Sequence, residues 1–285
     1  MLVTNGLIHS KVVNALKYAV FVGSITEVIE IGQNEFNNTI NTYIAGKAYS
    51  QAIAGANEGL NAKLLTTISG LRKNVLDNMI IEAKKNNVDT EHMIIMNDIE
   101  NDIKIVFKDK DNNKIQEKDI LKGSAEALSE DIIEQNEEML KKSSIIVCQT
   151  KINKKAIKKL IEIAIRNNIP FVLYPSRSKE ISIINNKENE ELISKVSILI
   201  CEDTALKDIF GQDVIEEDIL NKYKNKLIVI DSNDIIRYFD GEKIVTIHSD
   251  NVKLQKVGEK DVFIGKFVKN YLEKENITDA INASI

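Results

Sequence analysis

The stretch VGEKDVFIGKF, residues 257–267, decides how this chain is read. A glycine, two charged residues and an aspartate stand directly before an apolar helical run. Gly258 and Asp261 fall at the helix start, while Phe263 and Phe267, four residues apart, share one helix face. A helix N-terminus presents unpaired N–H donors and the positive end of a dipole, so it suits an anionic group. An acidic residue in a first turn also favours that dipole with no ligand present. The stretch is therefore either a phosphate-binding turn or a helix start kept for stability.

The chain before this helix alternates between strands and helices. YAVFVG (18–23) is a short apolar run ending in glycine, which suits a buried strand. From about residue 127 the pattern is regular. An acidic helix (127–142) leads to the strand SIIVCQ, and a helix over 153–167 puts Ile157, Leu160, Ile161 and Ala164 on one face. The strand PFVLY follows, then a polar helix near 187–195 and the strand VSILIC. A short helix near 203–210 stops at Gly211, and the strand KLIVID precedes a hairpin turning at Asp240-Gly241. Continuously apolar strands separated by helices predict an α/β fold, a mostly parallel central sheet covered by helices on both faces. Such sheets bind ligands beyond the carboxyl ends of their strands. The segments CQTK (148–151), YPSR (174–177), CEDT (201–204) and DSND (231–234) should line one rim.

Earlier in the chain, SQAIAGANEGLNAKLLTTISG reads as a helix broken at Gly59 and then a strand, and NVLDNMIIEAKKNN as a helix. NTINTYIA (38–45), EHMIIMN (91–97) and DIKIVFKDKDNNKIQ (102–116) alternate more loosely around a polar turn. They predict one small sheet inserted within the larger domain, its strands within about 24–45 and 91–116.

The 285 residues are 43% hydrophobic and 28% charged, with net charge −5, so a large core is available and a basic nucleic-acid footprint is not. Cys148 and Cys201 sit in apolar runs and read as buried thiols in a reducing compartment. His9, His92 and His248 are too scattered for a zinc site. No apolar run is long enough to span a membrane, and residues 1–16 lack a signal-peptide core, so the expectation is a cytoplasmic protein. Residues 1–16 read as a short N-terminal arm before the main domain (17–285), too short and too poorly basic for a DNA-binding helix pair.

Four stretches together resemble the ribokinase-like (PfkB) carbohydrate kinase family over roughly residues 17–285. VFVGSI resembles the family's first strand, and AGKAYSQAIAGANEGLNAKL its GGKGANQA signature. SILICEDTALKDIFG resembles the strand and NExE turn, and VGEKDVFIGKF the signature GAGDxFxGxF, with Gly258, Asp261, Phe263, Gly265 and Phe267 in place. The resemblance implies a ribokinase-like fold with a small β-sheet lid, and ATP-dependent phosphoryl transfer to a hydroxyl of a sugar or nucleoside. It implies Asp261 as the base, and the amides of Gly258, Glu259, Lys260 and Asp261 as an anion hole. Gly46, Lys47, Gln51 and Glu30 would contact the acceptor. Cys201, Glu202, Asp231 and Ser232 would border the nucleotide, with Glu202 and Asp203 toward Mg2+. Arg177 on the rim is a further phosphate candidate. Family members often pair with another copy through the lid, so a homodimer is implied as well.

The departures fall on the same site. Lys260 stands where the signature has its second glycine, and Val28 where the sugar aspartate belongs. Glu30, not Glu27, would share Val28's face in a strand. Gln255 or a neighbour replaces the aspartate before the last signature. Cys201-Glu202-Asp203-Thr204 lacks the asparagine and last glutamate of NExE, and DSNDII has no glycine. Two readings stay open, an active small-molecule kinase and a catalytically degenerate pseudokinase that binds or scaffolds on the same fold.

Overall fold

The computed structural model describes residues 17–33, 38–111, 113–121, 123–175, 194–211, 215–223, 226–231, 233–249, 254 and 258–285. The arm at 1–16, Arg177, Ser232, Gln255 and most of the helix expected near 187–195 lie outside the described residues. In chain order, β1 (Ala19–Val22) is followed by β2 (Thr26–Gln33), β3 (Asn38–Ala45), α1 (Lys47–Asn57) and β4 (Ala62–Ser69). Next come α2 (Lys73–Lys85), β5 (Val88–Asp89), β6 (Met93–Met96), β7 (Asp102–Lys108) and β8 (Lys114–Leu121). Three short helices, α3 (Ser124–Ala127), α4 (Glu130–Gln135) and α5 (Glu137–Lys141), lead to β9 (Ile145–Gln149), α6 (Lys154–Arg166) and β10 (Phe171–Tyr174). Then follow β11 (Ile198–Glu202), α7 (Asp203–Phe210), α8 (Glu216–Tyr223) and β12 (Leu227–Ile230). The chain closes with β13 (Ile235–Phe239), β14 (Ile244–His248), α9 (Glu259–Lys274) and α10 (Ile277–Asn282).

Among the described residues, the large sheet runs β14-β13-β12-β11-β10-β9-β1-β4-β5, with β6 also paired to β4. It is parallel from β12 through β5, and the hairpin β13–β14 adds an antiparallel edge. The central strands are continuously apolar because both faces are covered. On one face Val20, Cys148, Leu173 and Leu199 pack with Ile157, Leu160 and Ile161 of α6. On the other Phe21, Val147, Val172 and Ile200 pack with Ala52 of α1 and Phe263 and Phe267 of α9. Since β9 to β12 are parallel neighbours, their carboxyl ends share one rim, as the apolar runs predict.

The small sheet has the order β3-β2-β7-β8. The segment 91–97, expected there, is not part of it. Its strand β6 pairs in parallel with β4, Thr66 opposite Met93 and Ser69 opposite Met96, on the large sheet. The helix α2 carries the chain from β4 back to that edge, and a parallel partner is what such a crossover delivers. The fourth strand is β2, inside the expected 24–45 range, and β8 runs on to Leu121, past the expected limit at 116. The acidic helix expected over 127–142 is likewise broken. Ser129 caps α4 by accepting from the Ile132 amide, and Asn136 turns its side-chain amide back to the Ile132 carbonyl at 2.8 Å before α5 begins.

In-register pairing puts Val28 beside Tyr43 and Lys104, and Glu30 beside Asn41 and Val106. Glu30 therefore does share Val28's face. The same face carries Asp119, opposite Lys104 on β8. It is turned toward the rim, because Lys151, just beyond β9, reaches Asp119 at 3.9 Å and Asp102 at 3.2 Å. The small sheet thus stands over the carboxyl ends of the central strands. Its other face carries Ile29, Ile31, Ile103, Ile105 and Phe107.

Candidate active site

Two helix starts meet over the rim. Gly258 is the N-cap of α9, with φ 89°, a left-handed conformation that glycine adopts without strain. Among the described residues no side chain caps this end, and the first helical bond runs from the Val262 amide to the Gly258 carbonyl at 3.0 Å. The amides of Glu259, Lys260 and Asp261 therefore stand outside the helix's own ladder. These are three of the expected anion-hole residues, and they follow one another in the first turn of α9.

Asp261 is buried and accepts a hydrogen bond from the Gln51 side-chain amide at 2.9 Å. The contact depends on how closely α1 and α9 cross. A Cβ on Gly265 would stand 2.4 Å from the Gln51 carbonyl oxygen, 2.6 Å from the Ala54 Cβ and 2.8 Å from the Gly55 nitrogen. Burial raises the Asp261 pKa above the ordinary carboxylate value, and the nearby Glu202 charge adds to it. Lys47, the Gln51 bond and Lys260 act in the opposite direction without cancelling it. A carboxylate poised in this way is a better proton acceptor than a solvated one.

Lys47, the first residue of α1, places its ammonium 4.9 Å from the centre of the Tyr174 ring. Tyr174, at the end of β10, donates its hydroxyl to Glu202 at 3.3 Å. Burial, then the Asp261 and Glu202 charges, hold that phenol well above its ordinary pKa, so it remains a donor. Lys260 turns to Glu202 at 2.9 Å. Lys47, Gln51, Tyr174, Glu202, Lys260 and Asp261 thus form one linked polar cluster. Sequence reasoning missed Tyr174, although it stands at the end of an apolar strand on the expected rim.

Other candidates are placed differently. Glu30 is paired with Lys108 at 2.8 Å on the lid and shows no described contact with Asp261. The Cys201 thiol is fully buried in the core, and burial pushes its pKa up, so its side chain does not reach the rim. Asp231 accepts from the amides of Asn233 at 2.7 Å and Ile235 at 3.1 Å, and pairs with Arg237 at 2.8 Å. Burial opposes its ionisation, but these donors outweigh it and hold the carboxyl below its ordinary range. Its charge is committed to its own turn. Asp203 accepts from the Thr204 amide at 2.7 Å in the first turn of α7. Among the described residues no group of three or more His, Cys, Asp or Glu side chains could hold a metal ion. Glu202, already engaged by Lys260 and Tyr174, and Asp203 do not by themselves form a magnesium site.

The second contact that sequence reasoning missed lies under the lid. Asp102 is fully buried and accepts from the amides of Gly123 at 3.0 Å and Ala125 at 3.3 Å. Its other oxygen faces Lys151. One carboxylate thus gathers the start of β7, the exit from β8 and the end of β9.

The sequence matches the profile of pfkB family carbohydrate kinases over residues 17–284. It is 24% identical over 256 residues to the ribokinase of Lactococcus lactis subsp. lactis (strain IL1403), an alignment covering 89% of this chain and 81% of that protein. The fold superposes on Arabidopsis thaliana ribokinase complexed with ribose and ATP with TM-score 0.76 at 17% identity, covering 94% of this chain and 90% of that one. Thermotoga maritima ribokinase superposes with TM-score 0.74 at 20% identity, covering 93% and 89%. The parallel sheet with its separate small sheet is therefore a ribokinase-like fold, and the chain belongs to the pfkB family of carbohydrate kinases.

Proposed function

We propose that this protein transfers the γ-phosphoryl group of ATP to a hydroxyl of a small sugar or nucleoside. The observation that carries this reading is Asp261, a buried carboxylate of raised pKa, oriented by Gln51 in the first turn of an uncapped helix. In this reaction the acceptor oxygen forms a bond to the γ-phosphorus, the bond from that phosphorus to the ADP oxygen breaks, and the acceptor proton passes to Asp261. The amides of Glu259, Lys260 and Asp261, outside the helix's own ladder, face the charge on the moving group. Lys47 and Lys260 add positive potential. Magnesium enters as the nucleotide's counter-ion, as part of the substrate. A kinase of this kind works where ATP is held, in the cytoplasm.

The alternative of a degenerate scaffold draws on the motif departures alone. The lysine at 260 does not close the turn, because its ammonium is drawn aside to Glu202. A second copy of the chain is the partner that suits the apolar outer face of the lid, with Ile105 at its centre.

A screen of sugars and nucleosides for ATP consumption, run on wild type and Asp261→Asn, tests the reading. Turnover by wild type with a loss of roughly 10²–10⁴-fold in the variant is the expected result. Equal turnover in both removes Asp261 as the base. No consumption by wild type with any acceptor overturns the kinase reading.

A further inference from the structure

Gln149 ends β9 and is 1% exposed. Neither its Oε1 nor its Nε2 has a hydrogen-bond partner among the described residues. A primary amide offers two donors and an acceptor, and buried amides are normally satisfied. An orphan of this kind calls for a missing partner.

Its position says what that partner is. Gln149 is in register with Tyr174 on the neighbouring parallel strand, so the two side chains lie side by side on one sheet face. That face is the one covered by α1 and α9, since Val147 and Val172, two residues earlier on each strand, belong to the same core. The Gln149 side chain lies over Gly23, where an added Cβ would come within 2.3 Å of its Cγ and 2.5 Å of its Nε2. The next residues, Ser24 and Ile25, pack on Gly46, the N-cap of α1. Lys47 follows, with its ammonium over the Tyr174 ring. The path from Gln149 through Gly23, Gly46 and Lys47 returns to Tyr174, beside Gln149. The orphan amide is therefore the floor of the cluster that holds Asp261.

We propose that Gln149 binds the acceptor by a pair of hydrogen bonds to adjacent hydroxyls, Nε2 donating to one and Oε1 accepting from its neighbour. The inference rests on the kinase reading above and narrows it to acceptors with a vicinal diol beside the hydroxyl that is phosphorylated. The absence of a side chain at Gly23 is what leaves room for the amide to lie flat against the strand ends.

The experiment uses the full chain. D-Ribose, D-fructose and adenosine are assayed for ATP consumption, each beside its deoxy analogues, with wild type and Gln149→Met. Methionine keeps the volume and removes both amide atoms. The expected result is that wild type loses about tenfold or more in kcat/KM when one neighbouring hydroxyl is absent, the weight of a hydrogen bond made to a buried polar group. In Gln149→Met that discrimination collapses, the acceptor KM rises by a similar factor, the ATP KM holds, and the melting temperature holds or rises. An active wild type together with a variant of unchanged acceptor KM overturns the proposal while leaving the kinase reading intact, as it would if the amide held only a water molecule. A fall in melting temperature with both KM values moved together also overturns it. Should the methionine variant fail to fold, wild type alone decides, because equal kcat/KM for every deoxy analogue excludes the paired bonds. A wild type inactive on these three acceptors and on every acceptor of the wider screen removes the kinase reading and this proposal with it.

Discussion

Gln51 on α1 donates to the Asp261 carboxylate on α9 at 2.9 Å, across 210 positions of sequence. This bond lowers the Asp261 pKa against the burial that raises it. Replacing Gln51 with Leu removes the donor and leaves the burial. The acidic limb of the kcat/KM profile should then move to higher pH, and activity at neutral pH should fall. A pH–rate profile of both proteins reads this directly, and an unmoved limb would separate Gln51 from the base.

Asp261 also carries a stability consequence. Its folded pKa is raised, so the native state holds the proton more tightly than the unfolded chain. Wild type therefore loses stability as pH rises from the ordinary carboxylate range through the folded value. Asp261→Asn escapes that loss and can still accept from Gln51. The variant should melt at or above the wild-type temperature at pH 7, and the difference should shrink as pH falls below about 4. Melting curves at several pH values check the sign, and a variant less stable at pH 7 than at low pH, relative to wild type, contradicts it.

The crossing of α1 and α9 leaves no room at Gly265. The Cβ of Gly265→Ala meets backbone atoms of Gln51 and Gly55, which cannot swing aside as a flexible side chain does. The expected cost is about 1–3 kcal/mol in chemical unfolding. Activity in the folded fraction should fall too, since parting the helices lengthens the Gln51–Asp261 bond. Wild-type stability in the variant would mean that the helices are not held this close.

Lys151 is the partner of a buried carboxylate. Lys151→Met removes the ion-pair partner of an Asp102 oxygen that has no hydrogen bond among the described residues, and so leaves a buried charge uncompensated. A loss of roughly 1–3 kcal/mol is expected, with faster amide exchange across residues 102–121. Adding Asp102→Asn should recover part of it. Exchange rates equal to wild type would show that the lid does not depend on this pair.

Ile105 sits mid-strand on the outer face of the lid, in register with Ile29 and opposite Lys118. If two copies pair through this face, Ile105→Asp should sediment as a monomer at concentrations where wild type is a dimer. An unchanged mass removes the lid pairing.

Much of the fold was legible in the chain. The parallel strands are continuous apolar runs because both their faces are buried, and such runs are visible without any partner. The hairpin turn at Asp240-Gly241 and the helix start at Gly258 follow from local backbone chemistry, and both stand where expected. The lid was less legible. MIIM can edge a lid or a central sheet equally well by its own pattern, and only the crossover through α2 assigns it to β4.

The candidate site divides along the same line. The sequence by itself determined Asp261, Gly258 and the helix that follows, because neighbouring positions within one helix turn carry that signature. Only the tertiary structure decided the partners. Gln51 reaches Asp261, Lys260 reaches Glu202, and Lys151 reaches Asp102 because glycine contacts and strand register bring distant segments together. Asp231 and Cys201 both stand at strand ends, yet the Asp231 side chain is held by Arg237 and the Cys201 side chain points into the core. A side chain's role depends on which groups desolvate it and which pair with it, and those groups are set by packing across the whole chain.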